Sequence, residues 1–302
     1  MATRRDARVG ELPKSPACLT LLPMSETATP PAPARPSLPL FFRRVEAIAP
    51  ERHAGLRLDR AAGYGFASAG QTVPLGLGEF EQASRHYPIL FTAGPVPTPV
   101  VLMGLADTGN LFIEPEGAWR KDAYIPAYLR AYPFVYVEDR ARNTAFVGMD
   151  PSAACLGTGR GAALFEDGKP AAVLNDAINF CNAFRDNLAA AAAFGRAMEV
   201  AGLLREEEAT IRYSGGGAGR VRGFKVLQAD RLDAVPDETF LDWRRRGWIG
   251  PIYAHLNSAA RWGRLMELAA ALPRPPAPAA AAPEDRAAAP PDSAALPQAM
   301  DS

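Results

Sequence analysis

The chain has 302 residues, of which 48% are hydrophobic and 22% are charged, a composition typical of globular proteins with a sizeable core. Its 33 basic residues balance 33 acidic residues, so there is no excess charge that would attract nucleic acid, an anionic membrane or a polyanionic substrate. We therefore expect no nucleic-acid partner, and any partner must be selected by local surface chemistry.

The N-terminal segment is basic, but its short apolar run at 19–22 is far smaller than the hydrophobic region of a signal peptide. No run in the chain approaches the roughly 18 apolar residues that span a bilayer. These features predict no membrane span and a cytoplasmic location, with peripheral association with the envelope as the alternative. Met24 offers an alternative start for the chain.

Proline is concentrated at the two ends of the chain, where it is mixed with alanine, serine and threonine. Such segments bury too little apolar surface to offset the entropy lost on ordering. We therefore predict a disordered N-terminal arm at 1–38, one folded domain at 39–272 and a disordered tail at 273–302.

The first half of the predicted domain is rich in strand signals. Short apolar and β-branched segments, bounded by Gly, Pro, Asn or Asp, predict strands at 43–48, 89–92, 100–105, 110–113, 134–137 and 144–149. Short connections favour an antiparallel meander over βαβ units, which need longer helical links. Two short helices are predicted at 77–86 and 125–132.

The second half changes to a helical period. Apolar residues recur every three or four positions from Val173 to Ala191, which predicts one long amphipathic helix that ends near Gly202. A hairpin follows, with strands at 209–213 and 224–228. Acidic residues at 237–238 and arginines at 244–246 mark the two ends of a helix, and a last helix is predicted at 251–268. The fold class is thus α+β: a mostly antiparallel sheet in the first half, with the long helix, the hairpin and two C-terminal helices packed on it.

Several motifs that suggest chemistry lack the required context. Residues 157–162 fit the GxGxxA pattern but lack the flanking strand and helix of a dinucleotide site. Residues 66–70 lack the first glycine of a hydrolase elbow. The basic and aromatic residues of the hairpin could stack on single-stranded nucleic acid, but Glu206, Glu207 and Glu208 offset their charge. A solvated surface is therefore favoured for Arg212, Tyr213, Arg220, Arg222, Phe224 and Lys225.

The three cysteines and three histidines form no metal-binding motif. We predict no metal and no cofactor, and we expect the cysteines to be reduced, with a disulfide between Cys155 and Cys181 as the alternative. His255 is predicted to be a hydrogen-bonded core residue. A metal site would return to consideration if His86, Asp150 and His255 converged.

A series of short segments in register resembles the SapC family of bacterial surface-layer-associated proteins. The segments are 85–91 (RHYPILF), 110–112 (NLF), Trp119, 124–126 (YIP), 132–134 (YPF), 163–168 (ALFEDG), 223–224 (GF) and 251–258 (PIYAHLNS). The family is named for a protein linked to surface-layer formation and export, and its members have no agreed catalytic activity. The resemblance thus implies an accessory role and a protein partner in envelope or surface-layer export.

Two hypotheses arise from these observations. The first is a non-enzymatic binding protein that acts on envelope proteins before or during export. The second is an enzyme or enzyme subunit of a peptide-modification pathway with a pocket built from scattered polar and aromatic residues. The candidate pocket residues are His86, Tyr87, Asn110, Trp119, Tyr124, Arg130, Asp150, Tyr253 and His255. The alternative is that these residues serve packing and turns.

Overall fold

The computed structural model describes residues 38–105, 108–139, 144–212 and 218–272. The strands are β1 Glu46–Ala47, β2 Arg57–Leu58, β3 Thr72–Pro74, β4 Ile89–Thr92, β5 Pro99–Leu102, β6 Phe134–Asp139, β7 Thr144–Met149, β8 Leu156–Gly157, β9 Ala162–Ala163, β10 Phe165–Glu166, β11 Lys169–Pro170, β12 Leu204–Arg212 and β13 Ala218–Leu227. The helices are α1 Pro50–His53, α2 Phe80–Ser84, α3 Ala127–Ala131, α4 Ala172–Val200, α5 Asp237–Arg245, α6 Ile249–Ser258 and α7 Arg261–Ala270. Short 3₁₀ turns lie at Arg60–Ala62, Gly65–Ala67, Leu77–Glu79 and Ala229–Ala234. The predicted α+β class is confirmed.

The largest sheet has five antiparallel strands in the order β12-β13-β4-β5-β3. Ile89 lies opposite Val101 between β4 and β5, and Phe224 lies opposite Thr92 between β13 and β4. The hairpin therefore extends this sheet through hydrogen bonds, whereas the sequence predicted that it packs on the sheet. The described part of the chain also has three smaller sheets, with the orders β1-β7-β6, β8-β2-β9 and β10-β11.

The predicted strand at 110–113 is wrong. Gly109 adopts a positive φ of 63°, and the Oδ1 of Asn110 accepts a hydrogen bond from the amide of Phe112 at 3.0 Å. This local bond turns the chain and competes with ladder formation. In place of a strand, the segment forms an isolated bridge between Ile113 and Trp119.

The long helix α4 lies where the sequence predicted it and ends at Val200, two residues before Gly202. Gly202 has a φ of 70°, and the amide of Leu203 donates to the carbonyl of Met198 at 3.0 Å, as in helix ends that close with a left-handed residue. Cys155 and Cys181 are free thiols, so the disulfide alternative is wrong. Burial raises the pKa of Cys181 to about 12.

The predicted single helix at 251–268 is two helices, α6 and α7, that break after Ser258. The Ser258 hydroxyl donates to the carbonyl of His255 at 2.6 Å and accepts from the amide of Ile89 at 3.0 Å. A serine that bonds back to its own helix bends or ends it. The break therefore fixes the end of α6 against strand β4.

Within the described residues, two clusters of buried apolar side chains form the interior. The larger joins the five-stranded sheet to α2, α6, α7 and the C-terminal half of α4, and includes Tyr87, Phe91, Phe194, Trp243, Ile252 and Leu265. The smaller joins β6 and β7 to the N-terminal half of α4, and includes Phe134, Met149, Leu174, Ala177 and Cys181. Helix α4 contributes to both clusters.

Candidate functional site

Tyr87 lies three residues after the end of α2 and is fully buried. Its hydroxyl donates a hydrogen bond to the backbone carbonyl of Tyr124, and its ring meets that of Phe112 edge-on with centroids 4.6 Å apart. Burial is the main cause that raises the pKa of Tyr87 far above its usual value. The phenol is therefore a neutral donor that ties α2 to the segment before α3.

Glu79 is a buried carboxylate that the sequence did not identify as a site residue. Its Oε1 accepts from the Tyr124 hydroxyl at 2.9 Å and from the amide of Ala127 at 2.7 Å. Its Oε2 accepts from the amide of Gly76 at 2.9 Å. The spacing from Gly76 to Glu79 resembles a capping box, but nothing local signals the contacts with Tyr124 and α3.

Arg130 completes this network from the surface. Its Nη2 donates to the Tyr124 hydroxyl at 3.0 Å and its Nε donates to the carbonyl of Ile125 at 3.1 Å. The guanidinium carbon also lies 5.1 Å from the ring centroid of Phe180, within cation–π range. Burial and the nearby Glu79 carboxylate raise the pKa of Tyr124 to about 12, although Arg130 opposes them.

Phe112 and Trp119 form an aromatic wall next to Tyr87, and Asn110 supports it. Asn110 is buried, and its side-chain amide holds the turn that presents Phe112. The ring of Trp119 lies nearly parallel to Phe112, with centroids 6.2 Å apart, and edge-on to Tyr64 at 5.6 Å. These contacts give Asn110 and Trp119 a packing role.

His86 faces a polar cavity of about 440 Å³ between the end of α2 and the start of α7. We call this cavity the basic pocket and define it by Arg85, His86, Asp122, Arg261, Arg264 and Glu267. Phe112 also lines it, which connects it to the aromatic wall. Burial lowers the pKa of His86 and the positive charges of Arg261 and Arg85 lower it further, while Asp122 opposes them. His86 is therefore neutral at neutral pH.

Six of the nine predicted residues thus form one connected region, since each is linked to the basic pocket through contacts with Tyr87, Phe112 or Tyr124. They are His86, Tyr87, Asn110, Trp119, Tyr124 and Arg130. Asp150, Tyr253 and His255 do not belong to this region.

Asp150 is a fully buried carboxylate at the end of β7. Its Oδ2 accepts from the amide of Arg43 at 2.7 Å, and its Oδ1 accepts from the amide and the hydroxyl of Ser152 at 2.9 and 2.5 Å. Burial alone would raise the pKa of Asp150, but these hydrogen bonds hold it below its usual value. The carboxylate is thus a fixed acceptor that joins the chain near Arg43 to the turn after β7.

His255 is a buried core residue, as the sequence predicted. Its Nε2 accepts a hydrogen bond from the amide of Leu227 at 3.0 Å, and its ring lies 5.1 Å from that of Phe91. Burial lowers its pKa to about 4, so the imidazole is neutral. Tyr253, on α6, is 51% exposed and shares none of these contacts.

Among the described residues, no group of three or more His, Cys, Asp and Glu side chains could hold a metal ion. His86, Asp150 and His255 therefore do not form the metal site that their convergence would have suggested. In the same part of the chain, no helix has the length and hydrophobicity that crossing a bilayer requires.

A second cavity, of about 480 Å³, lies between α4 and the β6–β7 pair. It is lined mainly by apolar side chains such as Phe146, Phe165 and Ile178. Arg185 lies beside it, with its guanidinium carbon 4.6 Å from the ring centroid of Tyr136. None of the nine predicted residues lines this cavity.

Comparison with known proteins identifies the family. The sequence model of the SapC family matches residues 48–265, which is most of the chain and includes nearly all of the described residues. No curated protein matched the chain, and no solved structure matched it. The match confirms the resemblance seen in the short sequence segments. The chain therefore belongs to the SapC family.

Proposed function

We propose that the protein is a non-catalytic binding protein that acts on surface-layer or other envelope proteins of a bacterium, before or during their export. The family match over residues 48–265 carries this proposal, because the family is named for a protein linked to surface-layer formation and export. We also propose that it acts in the cytoplasm or at the inner face of the envelope.

The hydrogen bonds of the predicted residues support binding over catalysis. A catalytic acid, base or nucleophile must reach the substrate with its reacting atom. The Tyr87 hydroxyl, the Asp150 carboxylate and the Nε2 of His255 are buried, and each is engaged with the backbone of another segment. These groups therefore stabilise the fold.

The basic pocket is the surface that we propose for partner binding. Its charged side chains come from two separate segments and from α7, and they reach solvent around a concave site. Arginine and histidine around such a cavity suit the recognition of polar groups on a partner. The aromatic wall and the Glu79 network would hold this pocket in place.

Affinity purification from native cells, after mild cross-linking, tests the proposal. Tagged full-length protein should enrich envelope, surface-layer or export proteins relative to the tag alone. Arg264→Glu reverses a charge in the basic pocket and should lower that recovery severalfold, whereas Arg196→Glu, at an exposed position on α4, should not. Recovery of housekeeping proteins alone, or equal recovery with both variants, would count against the proposal.

A further inference from the structure

Most charges of the basic pocket are already paired within the protein. The Nη2 of Arg264 lies 3.4 Å from an oxygen of Asp122, and its Nη1 lies 3.6 Å from an oxygen of Glu267. Arg85 pairs with Glu81 outside the pocket at 2.6 Å. These contacts pair two of the three guanidinium groups with carboxylates.

Arg261 is the exception. It lines the pocket at the first position of α7, and its Nε is buried without a hydrogen-bond partner among the described residues. A guanidinium stays charged at every physiological pH, and a buried donor without an acceptor is unfavourable. Arg261 therefore has no carboxylate partner in the described part of the chain, and because its Nε is closed to solvent, a ligand in the pocket would pair with its Nη groups.

We propose that the basic pocket binds the carboxylate group of a ligand and that Arg261 pairs with it. A planar guanidinium matches a carboxylate through two parallel hydrogen bonds. Asp122 and Glu267 pair with Arg264, and Glu81 pairs with Arg85, which leaves the positive charge of Arg261 without a carboxylate partner among the described residues. That charge matches a monoanion, while Asp122 and Glu267 would repel a dianion such as phosphate.

The other lining residues agree with this ligand class. Phe112 and Ala123 supply apolar surface for the part of the ligand that carries the carboxylate. His86 lies among the same charges as Arg261 and Asp122, so its titration reports on an anion that enters the pocket.

This inference deepens the proposed function, since it names what the pocket recognises, but it is tested without any cellular partner. The probe is benzoate, with benzamide as its neutral isostere. Proton NMR follows the imidazole signals of the full-length protein during a pH titration with and without each compound. His53 and His255 lie outside the basic pocket and serve as internal references.

Saturating benzoate should raise the pKa of His86 and leave His255 unchanged, and benzamide should have no effect. Arg261→Gln should weaken benzoate binding by about tenfold or more, as expected for loss of a charged hydrogen bond. Arg196→Gln is the matched control and should bind normally. Thermal unfolding establishes that both variants are folded.

A wild-type His86 that does not respond to benzoate would overturn the inference, as would unchanged binding by Arg261→Gln. Tighter binding of inorganic phosphate than of benzoate would overturn the assignment of a monoanionic carboxylate. A short peptide with a free C-terminus, compared with its amide, then distinguishes a polypeptide end from a small acid. A negative benzoate titration would not change the result of the affinity purification from cells. The carboxylate site and the proposed binding function can therefore be rejected independently.

Discussion

At the level of single residues, Glu79 makes the clearest structural prediction, because three donors depend on its two oxygens. Glu79→Ala leaves those donors buried and unpaired and should lower the free energy of unfolding by about 3 kcal/mol. Glu79→Gln keeps one acceptor oxygen but places its side-chain amide against the backbone amide of Gly76. Its free energy of unfolding should therefore lie between those of the wild type and Glu79→Ala. Urea unfolding followed by circular dichroism measures both changes.

The matched control is Glu81→Ala. Glu81 lies two residues further along the same segment, is exposed, and pairs with Arg85 on the surface. Surface pairs of this kind contribute about 0.5 kcal/mol or less. Equal losses for Glu79→Ala and Glu81→Ala would show that the buried network does not hold α3 in place.

His255 gives a prediction about pH. Its pKa is about 4 in the folded protein, against 6.5 for the free side chain. Between pH 4 and pH 6.5, His255 binds a proton more readily in the unfolded chain than in the folded protein. The neutral His255 therefore makes its full contribution to the free energy of unfolding above pH 6.5. This contribution is lost as the pH falls towards 4, which lowers the free energy of unfolding by up to about 3 kcal/mol.

Urea unfolding of the wild type and of His255→Gln at pH 7.5, 6, 5 and 4 measures this effect. Glutamine can accept the hydrogen bond from the amide of Leu227 but does not titrate, so the variant should lose less stability over this range. If the free energy of unfolding depended on pH in the same way for both proteins, His255 would not be a buried neutral imidazole.

The burial of these residues could be predicted from the sequence only where the pattern was local. His255 falls on the apolar side of a predicted helix, so its place in the core followed from spacing. Glu79 meets Tyr124 and Ala127 across more than forty positions of the chain. The sequence around Glu79 contains no signal for a contact with residues so far along the chain.

At the level of elements, the approach of α4 to the turn between β4 and β5 depends on one glycine. A Cβ added to Gly195 would lie 1.9 Å from the carbonyl oxygen of Pro97. Alanine favours a helix over glycine by about 1 kcal/mol, so a gain is expected wherever space allows. Here the clash should dominate, and Gly195→Ala should destabilise the protein by about 2 kcal/mol or more.

Gly263→Ala is the control within another helix. A Cβ at Gly263 in α7 would meet nothing within 4 Å, so this variant should be as stable as the wild type or up to about 1 kcal/mol more stable. Thermal and urea unfolding compare the two. If Gly195→Ala were as stable as Gly263→Ala, α4 would not approach the turn this closely.

The helix α4 has a strong local period and was predictable, whereas the hairpin was predicted with β12 starting five residues and β13 six residues too late, and its pairing was not predicted. The apolar period from Val173 to Ala191 marks α4 directly, but the junction of β13 with β4 joins residues more than a hundred positions apart. The break after Ser258 was missed for the same reason, because it depends on the amide of Ile89 in a distant strand.

At the level of the whole molecule, α4 connects the two apolar clusters. Leu174 and Cys181 belong to the smaller cluster, while Phe194 and Met198 belong to the larger. Because one continuous helix contributes to both interiors, separating them would expose apolar surface at both of its ends. This continuity favours cooperative unfolding of the two clusters together.

Limited proteolysis tests the predicted domain boundaries. The arms at 1–38 and 273–302 are predicted from composition to be open to protease, and the domain at 39–272 is predicted to resist it. Trypsin should therefore cut first at arginines and lysines of the arms, such as Arg4, Lys14 and Arg286, and mass spectrometry should find one persistent fragment. Cleavage within α4 that leaves two stable halves would show that the clusters fold separately. The basic pocket, whose residues span 85–267, would then be shared between two independently folding parts.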